Sequence, residues 1–410
     1  MSKEKPSYLF VTVPNSVVPS GHTSDALAAV QNAAAKEGTA LPITIPEFKI
    51  GTLDALVQQA DELAKLQNTC ESVVAKVGDA LKNVLDGDQA KIESMKVVND
   101  KPLEQYLRTF TWNKVKYRAD KPLSELIDLL QKETQSIDND VRSRYQQYNT
   151  SKSNLAALQR KQTGNLSTKS LISIVDPKLL VQNSFKNDGS RQDEDDAPGS
   201  EYIETHLIAV PLTNQKDFLK NYETLSPMVV PRSATLVTQD SEFALYSATT
   251  FKKHSQEFLH KCREHKWVPR DFKYKEGGKE EEAREVERSE KEERRLWGET
   301  LRMARTGWSE SVMCWVHAII LRVFVETVLR YGLPLDFTTA LIKTTPKQAS
   351  KVRSGLDAAF SYLGGNAFGR DKKGRVTKDD SAVSAELQAA GHMGDGNDYT
   401  AYVCYGLEVD

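Results

Sequence analysis

No two of the four cysteines (Cys70, Cys262, Cys314 and Cys404) are close enough to form a CxxC pair, which removes thioredoxin-like redox motifs and zinc ribbons. No long apolar run opens the chain either. Tyr8-Leu9-Phe10-Val11 is soon followed by Pro14, too short a stretch for a secretory signal, so the cysteines read as reduced, mostly buried thiols of a cytosolic protein. The N-x-S triplets at Asn149 and Asn165 are then chance matches. Charge of one sign is also lacking: 55 Lys and Arg face 57 Asp and Glu, a formal net charge of -2, so no global field favours nucleic acid or an anionic membrane. Partners must be recognised by local surfaces.

The chain has 410 residues, 39% hydrophobic and 27% charged, enough for two or three ordinary domains with a large polar surface. Its most apolar stretch, Val312 to Leu329, is interrupted by Arg322 and Glu326, with Arg330 just beyond. That four-residue recurrence aligns the charges as one stripe on a helix. A lone spanning helix carries a high cost for such a stripe, so the segment reads as a core helix of a folded lobe.

Ser7 to Val13 predicts a first strand, and Ser20 to Gly38, small and polar, predicts a loose loop. Leu53, Leu56, Ala60, Leu63, Gln67, Cys70, Val74, Val77 and Leu81 then recur at alternating steps of three and four, the seam of a helix on a near-antiparallel neighbour, ended around Gly87. Asp120-Lys121-Pro122 starts a second helix with no Pro or Gly before Gly164. Its seam runs Ile127, Leu130, Thr134, Ile137, Val141, Arg144, Tyr148, Ser151, Leu155 and Leu158. At 1.5 Å per residue it extends roughly 60 Å.

Beyond Gly164 the pattern shortens. Ile203 to Val210 predicts a strand, Asn214 to Leu225 a helix with Phe218 and Tyr222 on one face, and Thr235 to Val237 with Phe243 to Thr250 a hairpin around Asp240-Ser241. Phe251 to His265 predicts a helix burying Phe251, Phe258 and Cys262. The acidic, turn-rich Asn187 to Ser200 stretch reads as a flexible loop. Lys279 to Arg295 predicts a solvated helix with Glu280/Arg284, Glu287/Lys291 and Glu290/Arg294 in the favourable order and a sparse seam of Ala283, Val286 and Trp297. Tyr399 to Val409 is a last strand candidate.

This order predicts an α+β, predominantly helical fold. Its shape is an elongated dumbbell, with an α+β head inserted between two long antiparallel neck helices and a larger helical foot with a small sheet. The expected boundaries are 1–145 and 299–410 for the foot, 146–163 and 276–298 for the neck helices, and 164–275 for the head.

No residue qualifies as catalytic, cofactor-binding or metal-ligating. His260, Cys262 and His265 are spaced by two and five on a helix, about 200° and 140° apart, and do not converge on a zinc ion. Leu363 to Arg375 is glycine-rich and basic but is no GxxxxGK[ST], and a helix from Pro346 to Leu363 capped by Gly364-Gly365 is the plainer account. His317 reads as a satisfied core histidine, and Arg322/Glu326/Arg330 as a structural ion-pair ladder. No cofactor is expected.

Several stretches together resemble the C subunit of the V-type (vacuolar) proton-transporting ATPase. They are Ile45 to Gly51 (IPEFKIG), Asp138 to Arg144 (DNDVRSR), Lys152 to Leu166 (KSNLAALQRKQTGNL), Tyr222 to Pro231 (YETLSPMVVP), Val268 to Tyr274 (VPRDFKY), Leu321 to Pro334 (LRVFVETVLRYGLP) and Leu363 to Phe368 (LGGNAF). The acidic 187–200 stretch and the tail after Lys378 depart from the family pattern. The resemblance implies a non-catalytic stator component between the ATP-hydrolysing and proton-translocating sectors. Its head would bind one peripheral stalk made of the E and G subunits, and its foot a second stalk and the cytosolic domain of the membrane-embedded a subunit. It further implies release on reversible disassembly, a peripheral place on the cytosolic face of the vacuolar or another acidified endomembrane, and actin binding. A free-standing helical adaptor or actin-binding tether is the alternative, and an enzyme with a non-local site a third class.

Overall fold

The computed structural model describes residues 6–172, 174–175, 202–272, 277–370, 376–378 and 400–409. The chain runs β1 (Ser7–Pro14), α1 (Thr23–Ala34), β2 (Thr39–Ile43), α2 (Leu53–Val84), α3 (Gln89–Met95), α4 (Leu103–Arg108) and α5 (Leu123–Thr163). It continues with β3 (Ile203–Pro211), α6 (Gln215–Asn221), β4 (Thr235–Gln239), β5 (Phe243–Phe251), α7 (Ser255–Glu264), β6 (Val268–Arg270) and α8 (Gly278–Tyr331). Last come β7 (Phe337–Thr344), α9 (Pro346–Phe360), β8 (Phe368–Arg370), β9 (Val376–Lys378) and β10 (Val403–Leu407). The architecture is mixed α+β. It forms two compact units, Met1–Gln146 with Trp297–Asp410, and Gln147–Leu296.

In the first unit an antiparallel sheet of order β10-β1-β7-β2 has both faces covered. Strand periodicity sends Tyr8 and Phe10 to one face, where α2, α5 and α8 supply the largest core, and Leu9, Val11 and Val13 to the other, against α1 and α9. The expected loop over residues 20–38 is therefore wrong. Its alanines form α1, which buries Ala26, Val30 and Ala34, one turn apart, against the sheet. Small side chains hide an amphipathic pattern from a reading that looks for Leu and Ile. Gly355 on α9 explains how close the layer is, since a Cβ there would meet the Ala33 carbonyl oxygen at 2.3 Å.

The α2 seam is buried from Leu56 to Leu81, with Gln67 half-buried, but Leu53 is exposed, because it sits in the first turn before the helix reaches the core. Thr52 caps α2 at its start, its Oγ1 accepting from Ala55 N–H. At the far end Gly87 N–H reaches the Lys82 carbonyl at 2.9 Å while Asp86 takes φ +49°, a Schellman stop. On α5, Thr134 fits its seam position by satisfying its hydroxyl locally, donating to the Leu130 carbonyl at 2.8 Å.

The charged 279–295 stretch and the apolar 312–329 stretch belong to one 54-residue helix, α8, unbroken by Gly298 or Gly307. At Gly307 the helix passes close to α5, as a Cβ there would stand 2.7 Å from Val141 Cγ2. The sparse seam differs from expectation. Val286 is buried, but Ala283 is exposed and Leu296, not Trp297, turns inward. Trp297 stays 40% exposed and instead donates its indole N–H to the Val84 carbonyl at 3.0 Å. By length and composition α8 contains a window apolar enough to cross a membrane, and 83% of that window is buried inside the fold.

The second unit holds a sheet of order β4-β5-β3-β6. One face packs on α6 and α7 through Ile208, Val210, Phe218, Tyr222, Phe258 and Trp267, and the other on Leu166, Leu171 and Val175. The β4–β5 hairpin turns where expected, with Asp240 Oδ1 accepting from Glu242 and Phe243 N–H. The single helix expected over 214–225 is shorter, because Tyr222–Thr224 tightens into a 3-10 turn after α6. Phe251 ends β5 and is exposed rather than buried in α7, which keeps Phe258 and Cys262 inside. Arg270 fastens the stretch after α5, its guanidinium donating to the Leu166 and Lys169 carbonyls at 2.6 and 2.7 Å.

Candidate functional site

A constellation of titratable groups surrounds His317 on α8. The helix points it into a cage of Phe110, Trp112 and Tyr117, with ring centroids 5.3, 4.8 and 4.8 Å away. Nδ1 lies 2.7 Å from the Met313 carbonyl, which fixes the proton there, and Nε2 accepts from Asn113 N–H at 3.3 Å. Both nitrogens are thus satisfied in the neutral ring, and burial pushes the imidazole pKa down to about 4.

Beside it, Tyr117 donates its hydroxyl to Glu133 Oε2 at 2.7 Å and lies 3.8 Å from Cys314 Sγ, while Lys116 pairs with the other Glu133 oxygen. Burial above all, and then the neighbouring Cys314 and Glu133, push the phenol far up. Burial does the same to the Cys314 thiol, and raises Cys70, which touches Thr134 at 3.4 Å, to about 11. Every group here is held in its neutral or paired form and none is an activated nucleophile. Sequence reasoning missed this network because Tyr117 and Cys314 lie 197 positions apart.

The Arg322/Glu326/Arg330 stripe splits into two functions. Arg330 Nε donates to Glu326 Oε1 at 2.6 Å, and its Nη1 donates to the Thr400 and Tyr402 carbonyls leading into β10. Arg322 donates to Gln67 Oε1 on α2 at 2.7 Å and stacks 4.3 Å above the Tyr405 ring on β10. These charges bolt the last strand and α2 onto α8.

The other candidates disperse. Cys262 is buried, and burial raises its thiol to about 12. His260 is largely exposed and faces Glu264 at 3.5 Å, and His265 stacks on Trp267. Among the described residues no group of three His, Cys, Asp or Glu side chains is placed to hold a metal. Gly364 and Gly365 do not cap α9 as expected. They lie inside a 3-10 stretch, Ser361–Ala367, that feeds β8, and residues 371–375 of the basic turn fall outside the described residues, as does the 187–200 loop. A groove of about 460 Å³ between α2 and α5 has Val77, Ala80 and Val141 in its lining, with Lys76 and Asp138 3.8 Å apart. It brings together no nucleophile with a base.

Two of the stretches singled out in the sequence help hold the fold. In DNDVRSR, Asp138 meets Lys76 on α2 and Arg144 meets Glu299 on α8 at 2.9 Å. In IPEFKIG, Phe48 is wedged between Trp112 and Phe324, 4.8 and 5.0 Å away.

The chain has relatives along most of its length. The family model for the V-ATPase C subunit matches residues 8–403. The V-type proton ATPase C subunit of Saccharomyces cerevisiae is 39% identical over 83% of this chain and 82% of its own. The C 1 subunit of Macaca fascicularis is 36% identical over 89% and 88%, and the C 1-A subunit of Danio rerio 38% identical over 79% and 80%. The chain belongs to the V-ATPase C-subunit family. Among solved structures, the cytoplasmic N-terminal domain of the V-ATPase I subunit, a homolog of the a subunit, aligns over 87% of this chain and 97% of its own. At 13% identity and a TM-score of 0.32, that likeness is too distant to define a shared fold.

Proposed function

We propose that this chain is a non-catalytic stator component of a V-type proton ATPase, linking the peripheral stalks of the ATP-hydrolysing sector to the membrane sector. The observation that carries this reading is family membership over residues 8–403, with the family's characteristic stretches serving as packing joints. In this reading residues 164–275 form a head that binds one stalk of the E and G subunits. Residues 1–145 and 299–410 form a foot that binds a second stalk and the cytosolic domain of the a subunit, and the 146–163 and 276–298 helices join the two as a dumbbell. Two moderate interfaces on one connector reinforce each other through effective concentration, and losing either releases the whole quickly. That property suits reversible disassembly at the cytosolic face of an acidified membrane.

Affinity purification of the chain from cells with and without an energy source tests the proposal. Pump components co-purify in fed cells and diminish on starvation. Recovery without any pump component in both states would support the free-standing or actin-binding adaptor instead.

A further inference from the structure

The groove of about 460 Å³ between α2 and α5 lies wholly within the first unit, and its two walls are built alike. On α2, Lys76, Asp79, Ala80 and Asn83 follow the i, i+3, i+4, i+7 spacing of one helix face. On α5, Asp138, Val141, Arg142 and Tyr145 do the same. The two helices run in the same direction, since Cys70 touches Thr134 and, further along both, Lys76 pairs with Asp138. Behind the floor stands α8, where a Cβ at Gly307 would meet Val141 Cγ2 at 2.7 Å and Val77 Cγ1 at 3.8 Å. The groove is thus one concave surface on a cradle of three helices.

Its floor is apolar, with Val77, Ala80 and Val141 buried and Tyr145 half-buried. Its rim is not. At one end Lys76 and Asp138 face each other at 3.8 Å and satisfy their charges mutually. Further along, Asp79 and Asn83 on α2 and Arg142 on α5 are exposed, and none of these side chains has a hydrogen-bond or ion-pair partner among the described residues. A carboxylate and an amide on one wall and a guanidinium on the other complement an occupant with an apolar ridge, a base on one flank and an acid on the opposite flank. An amphipathic helix has that form, because its i, i+3 and i+4 side chains make a ridge that fits a groove between helices. A second copy of this chain would bring the same hollow face, and two hollows leave a void over the floor.

We propose that the α2–α5 groove seats a helix of the second peripheral stalk. Large apolar side chains of that helix enter over Val77, Ala80, Val141 and Tyr145, while an acidic residue meets the Arg142 guanidinium and a basic one meets Asp79. The inference rests on the stator reading, in which residues 1–145 and 299–410 form a foot that binds this stalk, and adds the surface and the chemistry of contact.

The test titrates the full chain with a purified heterodimer of the E and G stalk subunits, reading both affinity and the number bound per chain. Ala80→Phe fills the groove from α2 and leaves every rim charge in place, so the chain binds one heterodimer fewer while any other is held at wild-type affinity. Arg142→Glu, at an exposed position that folding does not depend on, weakens the same site about tenfold at low salt and by less at high salt. If both variants bind as many heterodimers as the wild type at the same affinities, the surface assignment is overturned while the stalk reading stands. If the wild type binds none, both fall. Self-association of the wild type that Ala80→Phe abolishes assigns the groove to a second copy and also overturns the proposal.

Discussion

Arg330 reaches back one turn of α8 to Glu326, Nε to Oε1 at 2.6 Å, and with the same guanidinium holds the Tyr402 carbonyl at 3.2 Å. Glu326 is 2% exposed, so its charge relies on protein partners rather than on water. Replacing Arg330 with Met takes the bonded guanidinium from a buried carboxylate and costs about 3–5 kcal/mol in urea unfolding. Adding Glu326→Met recovers part of the loss, and Arg330→Lys fails to restore it because an ammonium lacks the fork. A double change as costly as the sum of the singles would show that the two side chains act independently.

The His317 ring is neutral in the native state, with its pKa lowered by burial from 6.5 to about 4. The unfolded chain therefore binds more protons between those values, and stability falls as pH drops from about 6.5 through 4, by about 3 kcal/mol in all. His317→Phe loses the ring's hydrogen bonds and is about 1–2 kcal/mol less stable at neutral pH. Its deficit shrinks on acidification, since phenylalanine has no proton to gain. Parallel wild-type and variant stability curves from neutral pH to pH 4 would remove His317 from the account.

Two glycines give an ordered pair of outcomes. In Gly307→Ala the new methyl meets Val141 Cγ2, a side-chain atom, at 2.7 Å; in Gly355→Ala it meets the Ala33 carbonyl oxygen, a backbone atom, at 2.3 Å. Overpacking costs about 1–3 kcal/mol, offset by up to about 1 kcal/mol of helix propensity. Thermal melts should rank Gly355→Ala as the more damaging, because a backbone moves less readily than a side chain. The reverse order would count against the α1–α9 contact.

Thiol labelling separates the four cysteines. Cys70, Cys262 and Cys314 are buried, and burial raises each thiol, whereas Cys404 is partly exposed. A disulfide reagent should modify Cys404 first in the native protein and all four in denaturant. Rapid native labelling of Cys314 would contradict the packing around Tyr117.

The long helices were legible because Leu, Val and Ile mark their inward face at a fixed period, and Pro122 and Gly164 punctuate α5. Where the inward side chains are alanines, as at Ala26 and Ala34, the same period carried no visible signal. Single-residue errors at Leu53, Trp297 and Phe251 arose at element ends, where the buried face has run out or a polar atom finds a local partner. The cage around His317 and the Arg330 clamp join positions up to 207 residues apart, and no local spacing encodes such contacts. The joints made by Asp138, Arg144 and Phe48 within the family's characteristic stretches emerged only in three dimensions.

Strand β2 lies at the border of its sheet, and Gln31 on α1 spends its amide there, accepting from Ala40 N–H at 2.6 Å and donating to the Gly38 carbonyl at 3.1 Å. Pro42, farther along the same strand, offers no N–H at all. A strand from another molecule would first have to displace an intramolecular amide and would then find a gap in the donor row. This border gives a neighbouring copy a poor template, and crowding a solution of the chain gains little from zipping sheets together.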